Sequence, residues 1–130
     1  MRARRALLMI TAASLVAAAG CSDSPAVGIS LVIDGKKQAV TGSVSCSSHA
    51  GGDEIEVGDI RVMLSAAEDR RLVEAELGKS TGRPLVAADN ARVSILNGGD
   101  YDYDITGNAV PQDTKDSTPP KPFELKIKCP

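Results

Sequence analysis

Hydrophobic and polar positions alternate strictly near the end of the chain, where Phe123, Leu125, Ile127 and Cys129 interleave with Glu124, Lys126 and Lys128. A period of two marks a strand with one face in a core and the other in water. The same phase places Val40, Val44 and Cys46 on one face, with Thr41, Ser43 and Ser45 on the other. Both cysteines therefore face inward on their predicted strands. Further runs predict strands from Ile29 to Ile33, at Ile55 with Val57, from Ile60 to Leu64, from Val73 to Leu77, from Val93 to Leu96, and through Tyr101, Tyr103 and Ile105. Turn signals at Asp34-Gly35, Gly51-Gly52, Gly82-Arg83-Pro84 and Asn97-Gly98-Gly99 separate them at the close spacing of antiparallel structure. The segment Leu64 to Leu77 is made of good helix formers. Its helical face, Leu64, Ala67, Arg71 and Ala75, is a poor apolar stripe, so a hairpin turning near Asp69-Arg70 is expected instead. Pro111 to Pro122 carry four prolines among Asp, Thr, Lys and Ser and read as a long loop. The pattern predicts a small all-β domain, an antiparallel β-sandwich or barrel-like fold.

The first twenty residues follow a different pattern. Met1 to Arg5 are cationic, and Ala6 to Ala19 are apolar except for Thr11 and Ser14, the length and polarity of a signal helix. Ala18-Ala19-Gly20-Cys21 then sets small residues directly before a cysteine, and the segment resembles a bacterial lipoprotein signal with its lipobox. That resemblance implies that diacylglycerol is joined to the Cys21 thiol, that the chain is cut before Cys21, and that the new amine is a further acylation point. Stable anchoring takes two chains, each buried methylene adding about 0.8 kcal/mol. The expected organisation is a signal peptide over 1–20, a lipidated Cys21 with a short tether over 21–27, and a β domain over 28–130.

Cleavage changes the charge balance. The 130 residues hold 15 Lys and Arg against 17 Asp and Glu, a net charge of −2. Without Arg2, Arg4 and Arg5, 12 basic residues face all 17 acidic ones, a net charge of −5. An acidic domain should be repelled by anionic headgroups, leaving attachment to the lipid itself. A nucleic-acid partner is not expected, since there is no basic excess. The apolar stretch is also too short for a spanning helix, which takes about 18 residues or more.

With Cys21 assigned to lipid, Cys46 and Cys129 remain as an even pair in an exported, oxidising setting, and a disulfide is the plain reading. A redox or metal-binding pair lacks CxxC spacing and has His49 alone to help. Gly78-Lys79-Ser80-Thr81-Gly82 imitates two motifs. A nucleophile elbow needs a following helix, which Pro84 opposes, and a His after the Ser; a P-loop needs Gly where Val73 stands. Asp100, Asp102 and Asp104 share one strand face and are weak calcium candidates, with Asp53, Glu54, Glu56 and Asp59 as possible help. An EF-hand would need Gly and Glu at Ile105 and Pro111, so a solvated charged face is the simpler reading. His49 follows Ser47 and Ser48 with no acid specified, as an exposed loop His would. No cofactor is expected. Lipid or glycan carriage in an apolar cavity stays open, although a domain this size needs most of its apolar residues for its core.

Three segments carry a wider likeness. Leu31 to Cys46 (LVIDGKKQAVTGSVSC), Tyr103-Asp104-Ile105-Thr106-Gly107 and the terminal PFELKIKC resemble the mycobacterial 19 kDa lipoprotein antigen family. The resemblance implies an exported, non-catalytic, lipid-anchored protein on the extracytoplasmic face of the cell membrane, with Cys21 lipidated and Cys46 paired with Cys129. It also implies that innate host receptors of the Toll-like type sense the acylated cysteine. The family has a Thr-rich glycosylated stretch after the lipid, whereas Ser22 to Ala26 contain no Thr. The domain is therefore expected close to the bilayer.

Overall fold

A computed structural model describes residues 24–66 and 71–130. The expected signal helix and Cys21 lie outside the described residues. Within them there are ten strands and no helix. They are β1 (Ile29–Ile33), β2 (Lys36–Lys37), β3 (Ser45–His49), β4 (Gly52–Val57), β5 (Ile60–Ser65), β6 (Leu72–Gly78), β7 (Leu85–Ala87), β8 (Arg92–Ile95), β9 (Tyr103–Pro111) and β10 (Lys121–Ile127). Every pairing is antiparallel, in the order β2-β1-β10-β9-β7-β6-β5-β4-β3, with β8 also on β9. The domain is all-β, and its sheet curls into a half-barrel.

The alternation read from the sequence fills the inside of that curl. Leu31, Leu125, Ile105 and Val93 are register partners in turn across β1, β10, β9 and β8, and Ile55, Val62 and Ala75 across β4, β5 and β6. Leu31, Ile105, Leu125, Val62 and Ile127 are wholly buried. Full burial of such a side chain contributes about 1.5–3 kcal/mol, and cross-strand neighbours on one face add packing. Ala91, between β7 and β8, folds over Gly107, where a Cβ would come within 2.8 Å of it. A larger residue at 107 would collide with this turn and press on the Phe123 ring.

Register also gives the stagger that curling requires. The row from Ser45 passes through Glu56, Arg61, Glu76 and Val86 to Val110, one residue beyond the Ala109–Lys121 pair. The row from Cys46 therefore meets β10 near Lys121, eight positions before Cys129. A sheet rolled on itself with tilted strands must show such an offset.

Several expectations need correction. Val40 to Val44 are not strand: β3 begins at Ser45, and upstream of it Thr41 makes an isolated bridge to Pro25. The chain must cross there from β2 at one edge of the sheet to β3 at the other, so its backbone is used for closure. Tyr101 and the carboxylates Asp100 and Asp102 precede β9; only Asp104 is on a strand. Pro111 closes β9 and Pro122 lies in β10, shortening the proline-rich loop to 112–120. Strands β2 and β7, two and three residues long, were too short to leave a period. The hairpin preferred for Leu64 to Leu77 is present as the β5–β6 ladder, with a bulge at Met63/Leu64. Its turn lies outside the described residues.

Gly52 opens β4 at a φ of 132°, and a Cβ there would lie 1.8 Å from the Leu64 carbonyl oxygen. Neither backbone can retreat without breaking the β4–β5 ladder. Gly52→Ala should therefore destabilise the domain by about 3 kcal/mol. Gly51→Ala, in open space, should stay within about 0.5 kcal/mol. Urea unfolding of the two variants checks the contrast.

Candidate functional site

The seam of the half-barrel gathers the features that a tethered domain would use. Cys46 sits one residue into β3 and Cys129 two residues past β10, and a disulfide joins them with Cα atoms 5.9 Å apart. Six inter-strand steps separate β3 from β10 along the sheet. Laid flat, those steps would span about 29 Å at the usual strand spacing. Curvature alone brings the two cysteines within bonding reach, and the bond then fixes it.

Asp102 organises the C-terminal side of this seam. Its carboxylate accepts the Cys129 backbone N–H at 2.9 Å and the Lys128 ammonium at 3.1 Å. Its own N–H donates to the Ile127 carbonyl at 2.8 Å. The Cys129 amide first, then Lys128, holds the Asp102 carboxyl below the usual range. Its stabilising contribution is thus present above the ordinary carboxylate pKa and lost as pH falls through the lowered one. One of the three aspartates read as a weak calcium group is therefore a clamp on the cross-linked end.

The N-terminal segment enters at the same seam. The Ala26 N–H donates to the Val40 carbonyl at 2.8 Å, and the Lys128 N–H to the Gly28 carbonyl at 2.7 Å. On one side of this segment, Pro25, Val27, Gly28, Val44, Lys128 and Pro130 help line a groove of about 440 Å³. On the other, Pro25, Lys37 and Val40 help line a second of about 320 Å³. Val27 is 89% exposed.

The remaining candidate residues disperse. Asp104 is the second residue of β9, near Glu124; burial first, then that neighbouring charge, raises its carboxyl pKa, and its Oδ1 is buried without a hydrogen-bond partner. Asp53 accepts from the Ser48 hydroxyl at 2.8 Å, and Asp59 from the Lys79 N–H at 2.8 Å. Glu54 accepts from Arg61 at 2.9 Å, and hydrogen bonding with Glu56 and Arg61 keeps its carboxyl low. Among the described residues no three of His, Cys, Asp and Glu converge as metal ligands. The Gly78–Gly82 segment turns from β6 towards β7, closed by the Gly82 N–H on the Lys79 carbonyl, and no helix follows it.

His49 departs from its sequence reading. It lies on β3, not in a loop, so Ser47 two residues earlier shares its face, with the Oγ 3.2 Å from His49 Nε2. Glu54, the register partner of Ser47, approaches the same nitrogen at 3.8 Å. A nucleophile-activating triad needs the acid and the hydroxyl on opposite ring nitrogens. Here both meet one nitrogen, on an exposed strand, so this trio does not form that relay. Sequence missed the grouping because the β3–β4 register alone brings Glu54 across.

Residues 22–129 match the family model described as "Mycobacterium 19 kDa lipoprotein antigen". The relatives called Lipoprotein LpqH from Mycobacterium bovis (strain BCG / Pasteur 1173P2) and Mycobacterium tuberculosis (strain ATCC 25618 / H37Rv) are each 33% identical over 117 residues, covering 83% of this chain and 73% of theirs. Lipoprotein LpqH from Mycobacterium avium is 32% identical over 113 residues, 80% of this chain and 70% of its own.

Two outcomes follow from the seam and from β9. Cys46→Ala with Cys129→Ala should cost about 4–5 kcal/mol on the chain-entropy model, given a cross-link separation of 83 residues. Urea unfolding of oxidised protein and double variant measures it. A raised carboxyl pKa in the fold penalises the ionised form, so Asp104→Asn should be more stable than the parent at neutral pH. That advantage should shrink as pH falls through the folded-state pKa and Asp104 protonates. Thermal melts of both proteins from pH 7 to pH 4 follow the difference.

Proposed function

This chain belongs to the mycobacterial 19 kDa lipoprotein antigen family, and from that premise we propose that it is a non-catalytic envelope lipoprotein held on the extracytoplasmic membrane face by acyl chains on Cys21. The supporting observation is the convergence at the seam. The segment leading from Cys21 enters the fold beside the Cys46–Cys129 bond, with only Ser22 and Asp23 between Cys21 and Ser24. A domain so built hands its anchor directly to its most constrained region. Diacylation or triacylation supplies membrane hold without a spanning helix. Host receptors of the Toll-like type then engage the acylated N-terminus, while the β domain is the antigenic body.

The carriage of a lipid or glycan has less support. The inside of the curl is occupied by apolar side chains from β1, β4, β5, β6, β9 and β10, and the grooves described above lie on the surface at the tether. Cys21→Ala should abolish partition of the mature protein into the detergent phase and its stimulation of receptor-bearing cells. Retention of both activities by that variant would overturn the reading. Intact mass of the protein from its own host gives the acyl count.

A further inference from the structure

The net charge of −5 left after cleavage argues against contact with an anionic bilayer, yet the surface around the tether has a different character. Val27 is 89% exposed, the most exposed of the large apolar side chains among the described residues. Lys128 lines the groove on one side of the Pro25 segment and Lys37 the groove on the other. Lys128 shares its groove with Val27, whereas Lys37, paired with Val32 on β1, lines the neighbouring groove that Pro25 also borders. Lys37 is exposed on the two-residue edge strand β2; Lys128 is held by Asp102 at 3.1 Å, with its side chain still 45% exposed.

Chain length says what this surface meets. Three residues from Cys21 to Ser24 reach at most about 11 Å, so an acylated Cys21 keeps the seam within that distance of the interface. Apolar side chains favour the headgroup boundary, and lysines beside them keep their ammonium groups among phosphates. Each basic residue near an anionic surface adds to that attraction, which acts only within a Debye length. Asp102 offsets the charge of Lys128 and Asp23 lies in the tether, so the electrostatic part of this contact rests on Lys37 and the apolar part on Val27. Resting on the Cys21 anchor proposed above, we infer that Val27, with Lys128 in its own groove and Lys37 in the neighbouring one, docks the seam onto the anionic bilayer surface. The domain is then held in one orientation, with the disulfide against the membrane and the remaining sheet turned away.

The chain contains no Trp, so a single introduced Trp reports its own surroundings. Val27→Trp, and Val73→Trp on β6 as comparison, are both at exposed sites. The full lipidated proteins are placed in phosphatidylglycerol-containing vesicles with brominated acyl chains. Flotation reads the anchor, and quenching reads the contact. Indole emission from the Val27→Trp protein should be quenched at least twofold more than emission from the Val73→Trp protein. Adding Lys37→Glu to the Val27→Trp protein should lower its quenching. Protein that floats with equal quenching at both sites, or with quenching indifferent to Lys37→Glu, overturns the docking and leaves the anchor standing. Protein that fails to float overturns the anchor, and the docking with it.

Discussion

Everything in this fold depends on rolling one sheet until its β3 edge meets the end of β10. An antiparallel sheet of this length has edges that expose unpaired backbone groups, and the usual remedies are closure or cover. Here closure is covalent: Cys46 on the last strand of the path is bonded to Cys129 beside β10. Hydrogen bonds between Ala26 and Val40 and between Lys128 and Gly28 fill in around the bond. The cross-link also acts on the unfolded chain, whose freedom it removes over most of the domain. A small core with three aromatic residues in the whole chain gains much from such a constraint.

The sequence was most legible where a strand is long and one-sided. The β10 alternation of Phe123, Leu125 and Ile127 and the β5–β6 pairing inside Leu64 to Leu77 follow from the side-chain period, because a one-residue slip would turn every apolar group to water. It was least legible where topology, not periodicity, decides. Val40 and Val44 carry the right phase but serve a crossing between sheet edges. Strands β2 and β7 are too brief to have a phase at all. The site divides in the same way. The chemistry of a cysteine pair can be read from composition and setting, whereas the grip of Asp102 on Cys129 spans 27 residues and exists only once β9 and β10 are in register.

The acidic side chains show how composition misleads about place. Seventeen carboxylates suggest a uniformly repulsive surface, but many are committed to local tasks. Asp116 is held low by the Thr118 hydroxyl and amide, and with Arg83 at 2.6 Å it pins the proline-rich loop. Asp59 holds the turn after β6, and Asp102 holds the chain end. Carboxylates used as backbone clamps give rigidity to loops that have few apolar side chains to pack. Net charge is a property of the whole chain; the field at any one contact is set by which groups are near it.

The entry of the N-terminal segment beside the cross-link has a mechanical side. For a domain held by that end, any pull between membrane and cell wall arrives first at the Pro25–Thr41 bridge and the Ala26 and Gly28 hydrogen bonds, and then at β1. Strand β1 is laced along its whole length to β10, whose end is bonded to β3. Load is thereby spread over a ladder and a covalent strut before it reaches β5 or β6. A domain tugged from that corner would resist unravelling, as a flag reinforced at the grommet does.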